Sequence, residues 1–76
     1  MIIDKQKQSG YIVHQGLIYK FRYEIVSGDD IKYRIYFSKP NEEGFYTENE
    51  KIVNVKSSIS SIEELIRPSL KECYRK

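Results

Sequence analysis

At 76 residues and a net charge of +2, the chain makes one small domain with a core that contributes only marginal stability. Its single cysteine, Cys73, excludes an intrachain disulfide, and no run of apolar residues exceeds three, which excludes a membrane-spanning helix. The charge is segregated: residues 1–39 are basic, 40–64 acidic and 65–76 basic again, so a partner surface of either sign can be met. No secretory signal segment is evident, and a cytoplasmic protein is the expectation.

Residues 1–10 include the polar run Asp4 to Gly10 and are read as a loosely ordered segment ahead of a single domain over 11–76. Met1-Ile2-Ile3 is either a short edge strand or, as preferred here, a frayed terminus. Tyr11-Ile12-Val13 has strand composition. Gly16 separates it from Leu17, either as the break between two strands or as a bulge in one bent strand.

Residues 17–37 predict a β-hairpin with two chemically opposed faces. Leu17, Tyr19, Phe21, Tyr23 and Ile25 alternate with Lys20, Arg22 and Glu24. In the second arm Ile31, Tyr33, Ile35 and Phe37 alternate with Lys32, Arg34, Tyr36 and Ser38. This period of two marks half-buried antiparallel strands. Pairing Glu24 with Arg34 and Arg22 with Tyr36 is favourable, whereas a register that opposes Arg22 to Arg34 is not. A loop around Gly28-Asp29-Asp30 follows from that choice.

Pro40 and Gly44 bracket a charged connection. Phe45-Tyr46-Thr47 reads as a short strand, and Lys51 to Lys56 as another with Val53 and Val55 facing the core. Ser60 or Ser61, each with a glutamate three residues on, predicts a capped helix that carries Ile62, Leu65, Ile66, Leu70, Cys73 and Tyr74 on one face. Pro68 lies opposite that stripe, where it kinks the helix or restarts it. The predicted fold is α+β: a three- or four-stranded antiparallel β-meander packed against one C-terminal α-helix. The expected core is Leu17, Tyr19, Phe21, Tyr23, Ile25, Tyr33, Ile35, Phe37, Val53, Ile62, Leu65, Ile66 and Leu70.

Strands followed by a helix beginning Ser-Ser-Ile-Glu-Glu-Leu-Ile resemble, in architecture, the sheet-reading DNA-binding domains of the integrase amino-terminal type. That resemblance implies basic and aromatic side chains of the sheet entering the major groove. The segments Glu43-Gly44-Phe45-Tyr46 and Ser61-Ile62-Glu63-Glu64-Leu65 are loosely similar to HicB-type antitoxins. Neither likeness covers a distinctive motif, and no functional residue is carried over from either.

Catalysis has little to work with. His14 and Cys73 stand alone, with no metal-ligand spacing, nucleophile motif or phosphate-cradling glycine loop. No enzyme activity, cofactor or metal is expected. The candidate binding surface comprises Lys20, Arg22, Lys32, Arg34 and Tyr36 on the hairpin, with Glu42, Glu43 and Tyr46 in the following loop. Tyrosines suit protein interfaces, and a protein partner is the leading expectation, for a regulator or inhibitor of a larger assembly. Nucleic acid held by the basic face is the alternative.

Overall fold

The computed structural model describes residues 1–27, 31–46, 49–56 and 61–75. Five strands form one antiparallel sheet in sequence order: β1 (Ile2–Asp4), β2 (Ser9–His14), β3 (Leu17–Ser27), β4 (Ile31–Ser38) and β5 (Lys51–Lys56). Helix α1 (Ile62–Cys73) packs across one face. The class is the α+β meander expected, with five strands in place of three or four.

The additional strands come from the first fourteen residues. Ile2–Asp4 pairs with Ser9–Tyr11, so this stretch forms an edge strand where a loose segment was expected. Asp4 organises the turn: its Oδ1 accepts hydrogen bonds from the backbone N–H groups of Gln6 and Lys7 at 3.0 and 3.1 Å, an Asx-type arrangement. Gln15 and Gly16 connect β2 to β3 with φ of 51° and 78°. Two consecutive left-handed residues match the twist of a two-residue hairpin, so Gly16 ends a separate strand and does not mark a bulge.

The β3–β4 register is the one the charges favoured, with Arg22 opposite Tyr36 and Glu24 opposite Arg34. The Gly28-Asp29-Asp30 loop lies outside the described residues. One sheet face carries Ile12, Tyr19, Phe21, Tyr23, Ile35 and Phe37, and α1 lays Ile62, Ile66 and Leu70 against it. Phe21 and Phe37 are directly opposed, with ring centroids 6.3 Å apart.

Two expected core residues are exposed: Leu17 and Ile25 lie on the correct face but at the ends of β3. A 12-residue helix is about 18 Å long, whereas an 11-residue strand spans about 36 Å, so α1 covers only the middle of β3. Tyr33 and Val53, on strands, and Leu65, within α1, are half-buried at the margin of the core. Ile12, absent from the expected core, is fully buried opposite Tyr19.

Phe45 and Tyr46 form no strand. Tyr46 makes an isolated bridge to Pro40, and the Asn41 side chain holds the loop by accepting from the N–H groups of Glu43 and Phe45, both at 2.9 Å. Thr47 and Ser60 lie outside the described residues. Ser61 occupies the N-cap without a side-chain cap bond, so the capping-box geometry does not form there. The Glu63 carboxylate is held below the usual carboxylate range chiefly by Lys5. That Lys5–Glu63 pair, at 2.7 Å, ties the β1–β2 turn to the start of α1. Pro68 sits within α1 on its exposed side and does not divide it.

Candidate functional site

The face of the sheet opposite α1 divides into two unlike halves. Over β3, β4 and β5 it is a connected set of charges. Arg22 donates from Nε and Nη2 to Glu50 Oε2 and Oε1, each at 3.1 Å, the two-point geometry that suits guanidinium to carboxylate. The same guanidinium lies 3.7 Å from the Tyr36 ring centroid, a close cation–π contact. The Arg22 pKa is raised, first by its hydrogen bond to Glu50.

Glu24 joins the two arms of the hairpin. Its carboxylate accepts from the Tyr36 hydroxyl at 3.3 Å and lies 3.7 Å from Arg22 and 3.6 Å from Arg34. Arg34 also donates to Asn54 Oδ1 at 3.4 Å. Three of the expected site residues, Arg22, Arg34 and Tyr36, are therefore brought together, and their hydrogen-bonding groups are directed at neighbours in the sheet. Lys32 sits beside Val26 and Lys56 at one end of this half. Glu50 and Asn54, absent from the expected site, complete the network. Neither adjoins Arg22 or Arg34 in sequence: Asn54 is brought in by its pairing with Arg34 across β4 and β5, and Glu50 lies just ahead of β5.

The other half, over β1 and β2 and the start of β3, is apolar. Ile2 pairs with Tyr11, Tyr11 with Lys20, and Val13 with Ile18, which places all five on the outward face. Tyr46 folds over them: its hydroxyl donates to the Ile18 carbonyl at 2.9 Å and its ring lies 6.5 Å from Tyr11. Burial, followed by Tyr11, raises its pKa. Lys20 Nζ stands 6.0 Å from the Tyr46 ring centroid. Ile2 is 73% exposed, Val13 56% and Ile18 53%, and Phe45 next to Tyr46 reaches 66%.

Lys20 and Tyr46 thus belong to the apolar half and not to the charge network. Glu42 and Glu43 are exposed in the Asn41-organised loop, and among the described residues neither forms an ion pair. The apolar half was latent in the chain as Tyr11-Ile12-Val13 and Leu17-Ile18-Tyr19. Each triplet has apolar residues on both faces, so alternation gives no contrast there.

His14 lies 6.0 Å from the Tyr19 ring, and burial pushes the Cys73 thiol up, away from the reactive thiolate. Among the described residues no group of three or more His, Cys, Asp or Glu side chains is placed to hold a metal ion. No described helix is long and apolar enough to cross a membrane. No protein-family model, curated protein or solved structure matches the chain.

Proposed function

We propose that the protein is a small, non-enzymatic, cytoplasmic protein-binding module that acts as a regulator or inhibitor of a larger assembly. The observation that supports this most directly is the outward patch of Ile2, Tyr11, Val13, Ile18 and Tyr46. These side chains are neighbours by strand register and remain open to solvent on the face that α1 leaves bare. A contiguous apolar patch of this kind marks an interaction site, whereas isolated exposed apolar residues need no explanation.

Nucleic-acid binding through the basic half is less well supported. Phosphate binding by Arg22 would compete with its two-point contact to Glu50, and Arg34 is shared between Glu24 and Asn54. Arg22 covers the face of Tyr36 on which a base would stack.

The test is retention of partners from host lysate on the immobilised protein and on an Ile18→Asp variant whose amide spectrum remains dispersed. The expected result is a saturable protein partner that the variant loses. Retention of nucleic acid alone, abolished by nuclease and by Arg22→Ala with Arg34→Ala, would overturn the reading.

A further inference from the structure

The chain exposes more surface than a solitary domain of its size. A globular monomer of 9.1 kDa presents roughly 4,900 Å² to solvent, whereas this one presents 5656 Å². The surplus of roughly 750 Å² is close to the share of one partner in a standard interface, about 800 Å². The sheet shows where such a share lies. A face of an antiparallel sheet that stays in water alternates to polar residues. Arg22, Glu24, Arg34 and Asn54 follow that rule on the outward face of β3–β5, but Ile2, Tyr11, Val13 and Ile18 on β1–β3 do not.

Two features select a second copy of the chain as the occupant. The first is size. Domains below about 80 residues draw little stability from one core and are commonly reinforced by disulfides, a metal or oligomerisation. At 76 residues with a single cysteine, this chain has no intrachain disulfide. Oligomerisation needs only an apolar face, and a copy of the chain is present wherever the chain is made.

The second is the charge beside the patch, which is self-complementary. Lys20 adjoins Tyr11 in register, and the loop that carries Tyr46 holds Lys39, Glu42 and Glu43, all exposed. Among the described residues none of these four forms an ion pair, and the Lys20 ammonium stands 6.0 Å from the Tyr46 ring. A two-fold axis sets one residue against another and repeats the contact in reverse. Two copies can therefore bring cation to carboxylate twice, whereas a partner of a single sign would oppose like charge at one or the other.

The remaining outward half needs no occupant, because Arg22 engages Glu50 and Arg34 engages Glu24. The apolar half lies to one side of the sheet. Two copies can overlap by these halves alone, about 10 Å apart as packed sheets are, and leave both charge networks in water.

We infer that the protein forms a two-fold homodimer in which the apolar halves of two sheets pack face to face. Lys20 of each copy meets Glu42 and Glu43 of the other. The inference rests on the protein-binding reading and names the occupant of its patch.

The test is sedimentation of the full chain from micromolar to millimolar concentration. The mass should rise from 9.1 kDa toward twice that value. Ile18→Asp with a dispersed amide spectrum should weaken association by about tenfold or more. Lys20→Glu, and Glu42→Lys combined with Glu43→Lys, should each weaken it as well. Mixing those two charge variants should restore it, since each copy then meets opposite charge twice. A mass that stays at 9.1 kDa, a dimer indifferent to Ile18→Asp, or no rescue on mixing would overturn the inference. A monomer throughout, with a lysate partner still lost in Ile18→Asp, would retain the protein-binding reading and remove the second copy alone.

Discussion

Replacing Gly10 by alanine should detach β1 from the sheet. Gly10 is buried on the inner face, opposite Ile3 on one side and Phe21 on the other. A Cβ there would overlap the Ile2 carbonyl oxygen, stand 2.8 Å from Phe21 Cζ and reach 3.0 Å from Ile3 Cα. The Phe21 ring has little room to retreat, because it is fully buried with Phe37 behind it. Two of the three obstacles belong to the β1 backbone, and β1 is the element held by the fewest pairs. Overpacking of a well-filled site costs about 1–3 kcal/mol. With a urea dependence of about 1–3 kcal/mol per molar for a small domain, the midpoint should fall by roughly 1 M. Urea titration followed by circular dichroism reads the midpoint, and amide exchange reads the location. Ile2–Asp4 should lose protection while the β3–β4 pairs keep theirs. Gly16→Ala is the control: its φ of 78° makes alanine strained by about 1–2 kcal/mol, but nothing lies within 4 Å of the new Cβ. That variant should lose stability without loss of β1 protection. A Gly10→Ala midpoint within about 0.3 M of the parent, with β1 amides still protected, would refute the steric argument, since even a 1 kcal/mol cost should move it further.

Three other outcomes follow from the same contacts. A double-mutant cycle of Arg22→Ala and Glu50→Ala should give a coupling of about 0.5–1 kcal/mol at low salt, reduced at 1 M salt, because the pair is two-point but partly exposed. A coupling indistinguishable from zero at low salt would show that the pair does not hold Arg22. Burial, then Cys73 and Tyr19, push the Tyr74 phenol up to about 12 from an ordinary 10.0. Its stabilising contribution is therefore fully present below pH 10 and lost as the pH rises toward 12. Tyrosine absorbance should show Tyr74 ionising last, after Tyr19, Tyr23 and Tyr46, which burial also pushes up, and Tyr74→Phe should flatten the loss of stability over that interval. Pro68→Ala should stabilise the chain by about 1–3 kcal/mol in urea unfolding, since proline in a helix interior is costly and this one is exposed. A destabilised variant would mean that contacts of the proline ring outweigh the missing backbone donor.

The central hairpin was the most legible part of the chain, because alternation and charge pairing agree there: Glu24 and Arg34 fix the register by attraction, and the aromatic set fixes the face. Legibility fell where apolar residues occupy both faces. Tyr11-Ile12-Val13 has strand composition but no contrast, so only pairing with β3 shows Ile12 inward and its neighbours outward. Leu17 and Ile25 were read onto the right face and yet are uncovered, since alternation gives orientation but not the reach of the helix. The Arg22–Glu50 contact joins residues 28 apart, and no local rule connects them. As for the binding surface, composition supplied its basic residues but not the carboxylates that engage them.

Every strand in this sheet pairs with its neighbour in sequence, and the helix that closes the core follows all five. Such nearest-neighbour topology has low contact order, so hairpins can form one after another at little loop-closure cost. A chain truncated before residue 62, however, holds every strand of this sheet but not the helix. In such a chain Phe21, Ile35 and Phe37 present a bare apolar face, which α1 otherwise hides under Ile62, Ile66 and Leu70. The vulnerable species is therefore the sheet without its helix. A premature stop just before the helix would release a chain that pairs well and aggregates readily, whereas one within β1 would release only a short peptide with no sheet.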